Sequence, residues 1–209
     1  MEFKNSETRY GLVSQFFHWS IALLFLFQFT AIVTFRFLEE NPPDLAWEIL
    51  NWHKSVGLLI LLLGLLRLGW RLSTRLPAWP AEFGEWDKKV SHFAERGLYF
   101  ALFAMVGSGL LIELAGGFYV PFFGLFHMDN VAPYIHPGSV SDTASILAAR
   151  KAASLPLVSD FFVATHVVFA YCVVGFFSVH VAHVLRHQFE FDNGMLRRML
   201  PIRQKSQEE

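Results

Sequence analysis

The sequence predicts an all-α membrane protein, a bundle of four transmembrane helices, on three observations. Hydrophobic residues make up 54% of the 209-residue chain and charged residues only 17%, with 23 Phe and a mean hydropathy of +0.38. The charges are clustered, which leaves long apolar stretches between them. Two of those stretches, residues 16–35 and 161–185, are uncharged for 20 and 25 residues, enough to cross a hydrocarbon core about 30 Å thick.

The first helix is expected over about residues 13–36. Its apolar run is too long for a signal-peptide core and lacks a small-x-small cleavage site, so it is read as part of the mature protein. The second is expected over about 51–72. Its uncharged core, residues 55–66, is short, but Lys54 and Arg67 at its ends can extend their charges to the interfaces, so 53–70 can span. The third, about 91–115, is built on residues 97–112 and continues once Glu113 is tolerated. The fourth is expected over about 159–188. Between the last two lies a connection, 116–158, rich in Gly, Pro and aromatics and then helix-like over 142–153; a loop this long in a compact domain is usually functional or disordered, and its aromatic content argues against disorder. The whole of 1–209 reads as one membrane domain without internal repeats. Trp19, Trp52, Trp70, Trp79 and Trp86 fall near the expected helix ends, where an interfacial belt places them.

Lys and Arg orient the helices. Thirteen of the 17 lie in the N-terminal arm, between the second and third helices, and in the tail; Arg36, Lys54, Arg150 and Lys151 fall on the other side. Both termini are therefore expected in the cytoplasm. Cys172 stands alone, which excludes an internal disulfide and a cysteine-ligated iron–sulfur cluster. Nothing in the composition suggests a nucleic-acid partner.

Four histidines stand in the apolar segments, His18, His53, His166 and His180. Ionisable groups inside a span are costly and mark function by default. His166 and His180 are 14 residues apart, which leaves them about 40° apart on one helical face and roughly 21 Å apart along the axis. With the orientation above, the depths match in pairs, His18 with His180 and His53 with His166. Two imidazoles facing each other at one depth are what a bis-histidine haem requires. Small residues on the same faces (Gly11, Ser14 and Ala22 around His18; Gly57 and Gly64 after His53) would leave room for a flat ring, or would serve helix packing. Two pairs at different depths disfavour a four-ligand zinc site. Proton or ion transport and purely structural histidines stay open at this point.

The ordered set RYGLVSQFFHW at 9–19, HKSVG at 53–57 with RLGWR at 67–71, THVVFAY at 165–171 with SVHVAHVLRHQF at 178–189, and DNGMLRRMLP at 192–201 resembles the bacterial cytochrome b561 family over roughly residues 8–200. The resemblance implies a protein of the bacterial inner membrane with two b-type haems, their axial ligands His18, His53, His166 and His180. It implies one-electron exchange with a membrane quinone such as ubiquinone, in one branch with superoxide as the donor. It also implies the alternative of a cytochrome b subunit docked to a periplasmic redox protein, as in membrane-anchored hydrogenases. Within SHFAERGLY at 91–99 the chain keeps the first histidine of the related pattern as His92 and carries Glu95 where relatives often have a second. Arg9, Arg67 and Arg71 are candidate contacts for haem propionates, or orientation charges. Lys54, Arg150 and Lys151 are candidates for attracting superoxide, or interfacial anchors. His183 and His187 continue the face of His180 and read as interfacial groups, with alternative ligands or protonatable groups near a quinone as the other readings; His127 and His136 in the long loop read as surface residues.

Overall fold

The computed structural model describes residues 2–38, 43–116, 120–128, 156–191 and 193–201. Its elements in chain order are α1 (Leu12–Leu38), α2 (Pro43–Ser73), α3 (Glu85–Gly116), β1 (Val120–Phe122), β2 (Phe126–Met128) and α4 (Pro156–Phe189). All four helices contain a stretch long and apolar enough to cross a membrane. Phe16, Leu23, Leu26, Leu65, Phe100, Phe161 and Val168 are exposed along them. In water such surfaces would drive aggregation; in lipid they are the required solvent contact, with the backbone satisfied inside each helix.

Two helices begin earlier than the apolar runs suggest. Pro43 opens α2, where its fixed φ suits a first turn and its missing N–H costs nothing, and Asp44 follows in that turn. Glu85 and Asp87 lie in the first turn of α3, and the Asp87 carboxylate accepts the Gly84 N–H at 3.1 Å, one half of a capping box. These turns are polar, so a count of uncharged residues passes over them.

The chain divides into two compact units. The first comprises residues 1–22, 63–100 and 173–209. Here Asn5 fastens the N-terminal arm: its amide donates to the Arg75 carbonyl (2.9 Å), and its Oδ1 accepts from the Gly11 N–H (2.9 Å) and the Ser14 hydroxyl (2.7 Å). Trp70 Nε1 donates in turn to Ser14 Oγ at 3.0 Å. Gly11 is needed for this route, because a Cβ there would collide with the Lys4 carbonyl. Gly11 and Ser14 thus seat the arm, a different task from leaving space beside His18. The tail is tied in by Trp19 Nε1 to the Met199 carbonyl (2.8 Å) and Arg198 to the Ala78 carbonyl (2.6 Å).

The second unit comprises residues 23–62 and 101–172. It contains the start of the long connection, which forms an antiparallel hairpin, Phe122 opposite Phe126. Phe123 (φ 50°) and Gly124 (φ 71°) turn it in the left-handed region. That conformation is costly for Phe, and two contacts hold it: the Phe123 N–H donates to Ser55 Oγ (3.1 Å), and its ring packs edge-on against Trp52. Buried Ser55 also donates to the Pro121 carbonyl at 3.0 Å. The expected helix-like stretch at 142–153 lies outside the described residues.

Candidate functional site

Each unit holds one pair of histidines. In the first, His18 of α1 faces His180 of α4 with ring centroids 6.1 Å apart and planes at 53°. In the second, His53 of α2 faces His166 of α4 at 6.4 Å and 78°. With metal–imidazole bonds of about 2 Å and each ring centre roughly 1 Å behind its nitrogen, two imidazoles on one iron have centroids about 6 Å apart. Both pairs have that separation, which is too wide for direct hydrogen bonding and right for one interposed iron. The pairing expected from helix direction is the pairing in the fold.

Around His166, α3 supplies what the sequence reading did not find. His166 Nδ1 is 2.8 Å from the Met105 carbonyl oxygen, which can only accept, so Nδ1 carries the proton and Nε2 is left with its lone pair. Ser108 Oγ donates to the same carbonyl (2.8 Å) and lies 3.3 Å from Nδ1. A Cβ at Gly109 would stand 3.0 Å from His166 Cε1, so glycine makes room for the ring. Such contacts orient a metal-binding imidazole and set its basicity. His53 has its own carbonyl bonded by Gln28 Nε2 at 3.0 Å, and its Nδ1 is buried without a hydrogen-bond partner among the described residues. Gln28 also lines Gly57, whose Cβ would come to 3.3 Å from Gln28 Nε2.

The candidate charged contacts are engaged within the protein. Arg71 pairs with Glu95 at 2.6 Å, both part-buried. Arg67 Nε donates to the Tyr99 hydroxyl at 3.0 Å, and its charge lies within Coulombic reach of both His18 and His180. Arg9 donates to the Leu200 carbonyl. Tyr10 is half-buried beside this group; desolvation, then the Glu95 carboxylate, raise its hydroxyl above the ordinary tyrosine range against the pull of Arg71, Arg67 and Arg198, so it stays neutral. Lys54 is bound to Glu113 at 2.8 Å, with side chains only 12% and 14% exposed, so its charge is locally compensated. Arg150, Lys151 and His136 lie outside the described residues.

His183 and His187 fall into a separate cluster with Asp87. His187 is stacked on Phe83 and Phe191. The Met195 N–H donates to Asn193 Oδ1, which leaves the Asn193 amide to donate to His187 Nδ1 (2.8 Å). The His187 proton therefore sits on Nε2, aimed at Asp87 Oδ1 (3.2 Å). With both nitrogens engaged, this is a clamp between the tail and the start of α3. His183 bonds Ser91 at 3.0 Å.

The sequence profile described as prokaryotic cytochrome b561 matches residues 9–201, a span that includes both histidine pairs. The chain belongs to the prokaryotic cytochrome b561 family. It is 27% identical over 206 residues to cytochrome b561 homolog 2 of Escherichia coli (strain K12), a match covering 96% of this chain and 95% of that one. A cytochrome b561 is a multi-pass membrane electron-transfer protein of the b-haem class, and the facing imidazoles fit that group.

Proposed function

We propose that this cytochrome b561 is a dihaem protein of the bacterial inner membrane that moves single electrons between a donor and a membrane quinone, with both termini in the cytoplasm. The observation that carries the reading is the pair of ring separations, 6.1 and 6.4 Å, each right for one iron between two imidazoles. His18 with His180 would hold one haem b, and His53 with His166 the other. The group supplies reversible one-electron chemistry when bound.

The residues present define what that chemistry does. Two imidazoles holding each iron would leave a small substrate no ligand position, so the histidine pairs would favour electron transfer without direct binding to the metal. The Met105 carbonyl holds the His166 proton on Nδ1 and keeps Nε2 directed away from it. Because α4 carries one histidine of each pair, a single continuous helix supports both sites. Superoxide-to-ubiquinone transfer is the finer reading, and it takes support from the family alone.

A pyridine-haemochrome assay on purified protein tests the proposal. Two haem b per chain are expected in the wild type and one in His53→Ala. One haem in the wild type would break the dihaem assignment, and none would break the haem assignment of both pairs.

A further inference from the structure

On α3, in the first unit, Lys89, His92, Phe93, Arg96, Gly97 and Phe100 line an open groove of about 510 Å³. Their spacing, i, i+3, i+4, i+7, i+8 and i+11, puts them on one helical face. The floor is made by a close approach: a Cβ at Gly97 would collide with the Phe176 ring, so the absence of a side chain lets Phe176 of α4 pack directly against α3. Phe93 stands over the same ring, edge-on at 5.3 Å. Phe93 and Phe100 are 63% and 66% exposed, so the groove opens outward, toward the apolar solvent the helices require.

The groove is graded along its length. Lys89 and His92 lie nearest the start of α3, Phe93 and Arg96 follow, and Gly97 and Phe100 lie farther along the helix. Lys89 and Arg96 are exposed, and among the described residues neither is in an ion pair, the nearby Glu85 carboxylate being bonded to Lys88 at 2.7 Å. His92 rests edge-on against Trp79, at the same end. Trp79 and exposed Trp86 mark that end as interfacial. Two exposed cations above an apolar trough, Lys89 also within Coulombic reach of the Glu85 carboxylate, match a molecule with an anionic head and hydrocarbon tails, and basic pockets between membrane helices recognise such headgroups.

We propose that this groove binds an anionic phospholipid, its phosphate held by Lys89 and Arg96 and one acyl chain lying on Phe93, Gly97 and Phe100. The haem assignment plays no part in the argument.

The test uses purified full-length protein, with its cofactors, in nanodiscs of phosphatidylcholine containing a minor fraction of phosphatidylglycerol. Lipids retained after mild detergent extraction are counted by native mass spectrometry. Phosphatidylglycerol is expected to be enriched over phosphatidylcholine on the wild type. Lys89→Gln/Arg96→Gln should lose that enrichment by roughly thirtyfold, at about one interfacial charge's worth of attraction per cation. Lys4→Gln/Arg75→Gln, which removes two charges elsewhere on the same unit, should keep it. Inorganic phosphate at millimolar concentration should not displace the lipid, because the acyl contact is missing. Equal retention by wild type and groove variant, equal loss in the control variant, or displacement by free phosphate would each overturn the proposal. An unchanged haem spectrum and melting temperature in the groove variant separate lost binding from misfolding.

Discussion

The Nδ1 of His166 lies 2.8 Å from the carbonyl oxygen of Met105, so a helix that offers no ring to either histidine pair nevertheless fixes the tautomer of one member. The same stretch of α3 contains Gly109, which leaves room for that imidazole, and Gly107, where an added Cβ would meet nothing within 4 Å. The two glycines therefore separate packing against the ring from helix propensity. Gly109→Ala should push the His166 ring, shift the optical and EPR signature of one haem and lower its occupancy. Gly107→Ala should leave the spectra alone and stabilise the helix by about 0.5–1 kcal/mol. Identical behaviour of the two variants would sink the positioning role of Gly109.

The pairing of the histidines makes a prediction that no tally of ligands makes. If each pair holds one haem, removing both members of a pair costs no more haem than removing one. His18→Ala, His180→Ala and the double variant should each retain one haem per chain, while His18→Ala/His53→Ala should retain none. Haemochrome titration of the set decides it. Loss of both haems in His18→Ala/His180→Ala, with the chain still folded by circular dichroism, would contradict independent sites.

The four helices and the two facing pairs were legible because both rest on one-dimensional rules. A charge-free run of membrane length is a helix in lipid, and 3.6 residues per turn fixes which residues share its face. What was not legible depends on how helices are rotated against their neighbours. Met105, Ser108 and Gly109 look like ordinary small or apolar residues of a span until α3 is set against His166. Gln28, a lone amide in an apolar run, is the one sequence signal of this site beyond the histidines, and it bonds the His53 carbonyl. Gly11 and Ser14 carried the right residue type for making space, but they hold the arm. The early starts of α2 and α3 were hidden because their first turns are polar.

Glu95, a departure from the expected family pattern, is paired with Arg71 at 2.6 Å. With both side chains about a quarter exposed, the pair contributes little to stability, on the order of 1 kcal/mol or less. Its larger effect is expected on reduction potential. A unit charge at roughly 10 Å in an effective dielectric near 20 shifts a redox centre by tens of millivolts. Glu95→Gln removes a negative charge that stabilises the oxidised state, so one haem's potential should rise; Arg71→Gln should lower it, and the double variant should return near the wild type. A spectroelectrochemical titration reads all three. Shifts of the same sign in both single variants would show that the charges do not act on the haem.

Lys54 was a candidate for drawing in superoxide, yet its bond to Glu113 changes what its removal would mean. Lys54→Gln takes a cation from beside a half-buried carboxylate, a loss on the order of 1–3 kcal/mol. A slower superoxide reaction in that variant would therefore not separate steering from damage. Lys54→Gln/Glu113→Gln removes both charges and should recover most of the lost stability. If the Lys54 charge steers an anion, the superoxide rate should stay low in the double variant and lose part of its ionic-strength dependence. If Lys54 serves only to neutralise Glu113, the rate should return with the stability. Thermal melts and stopped-flow rates at two salt concentrations on the three proteins distinguish these outcomes.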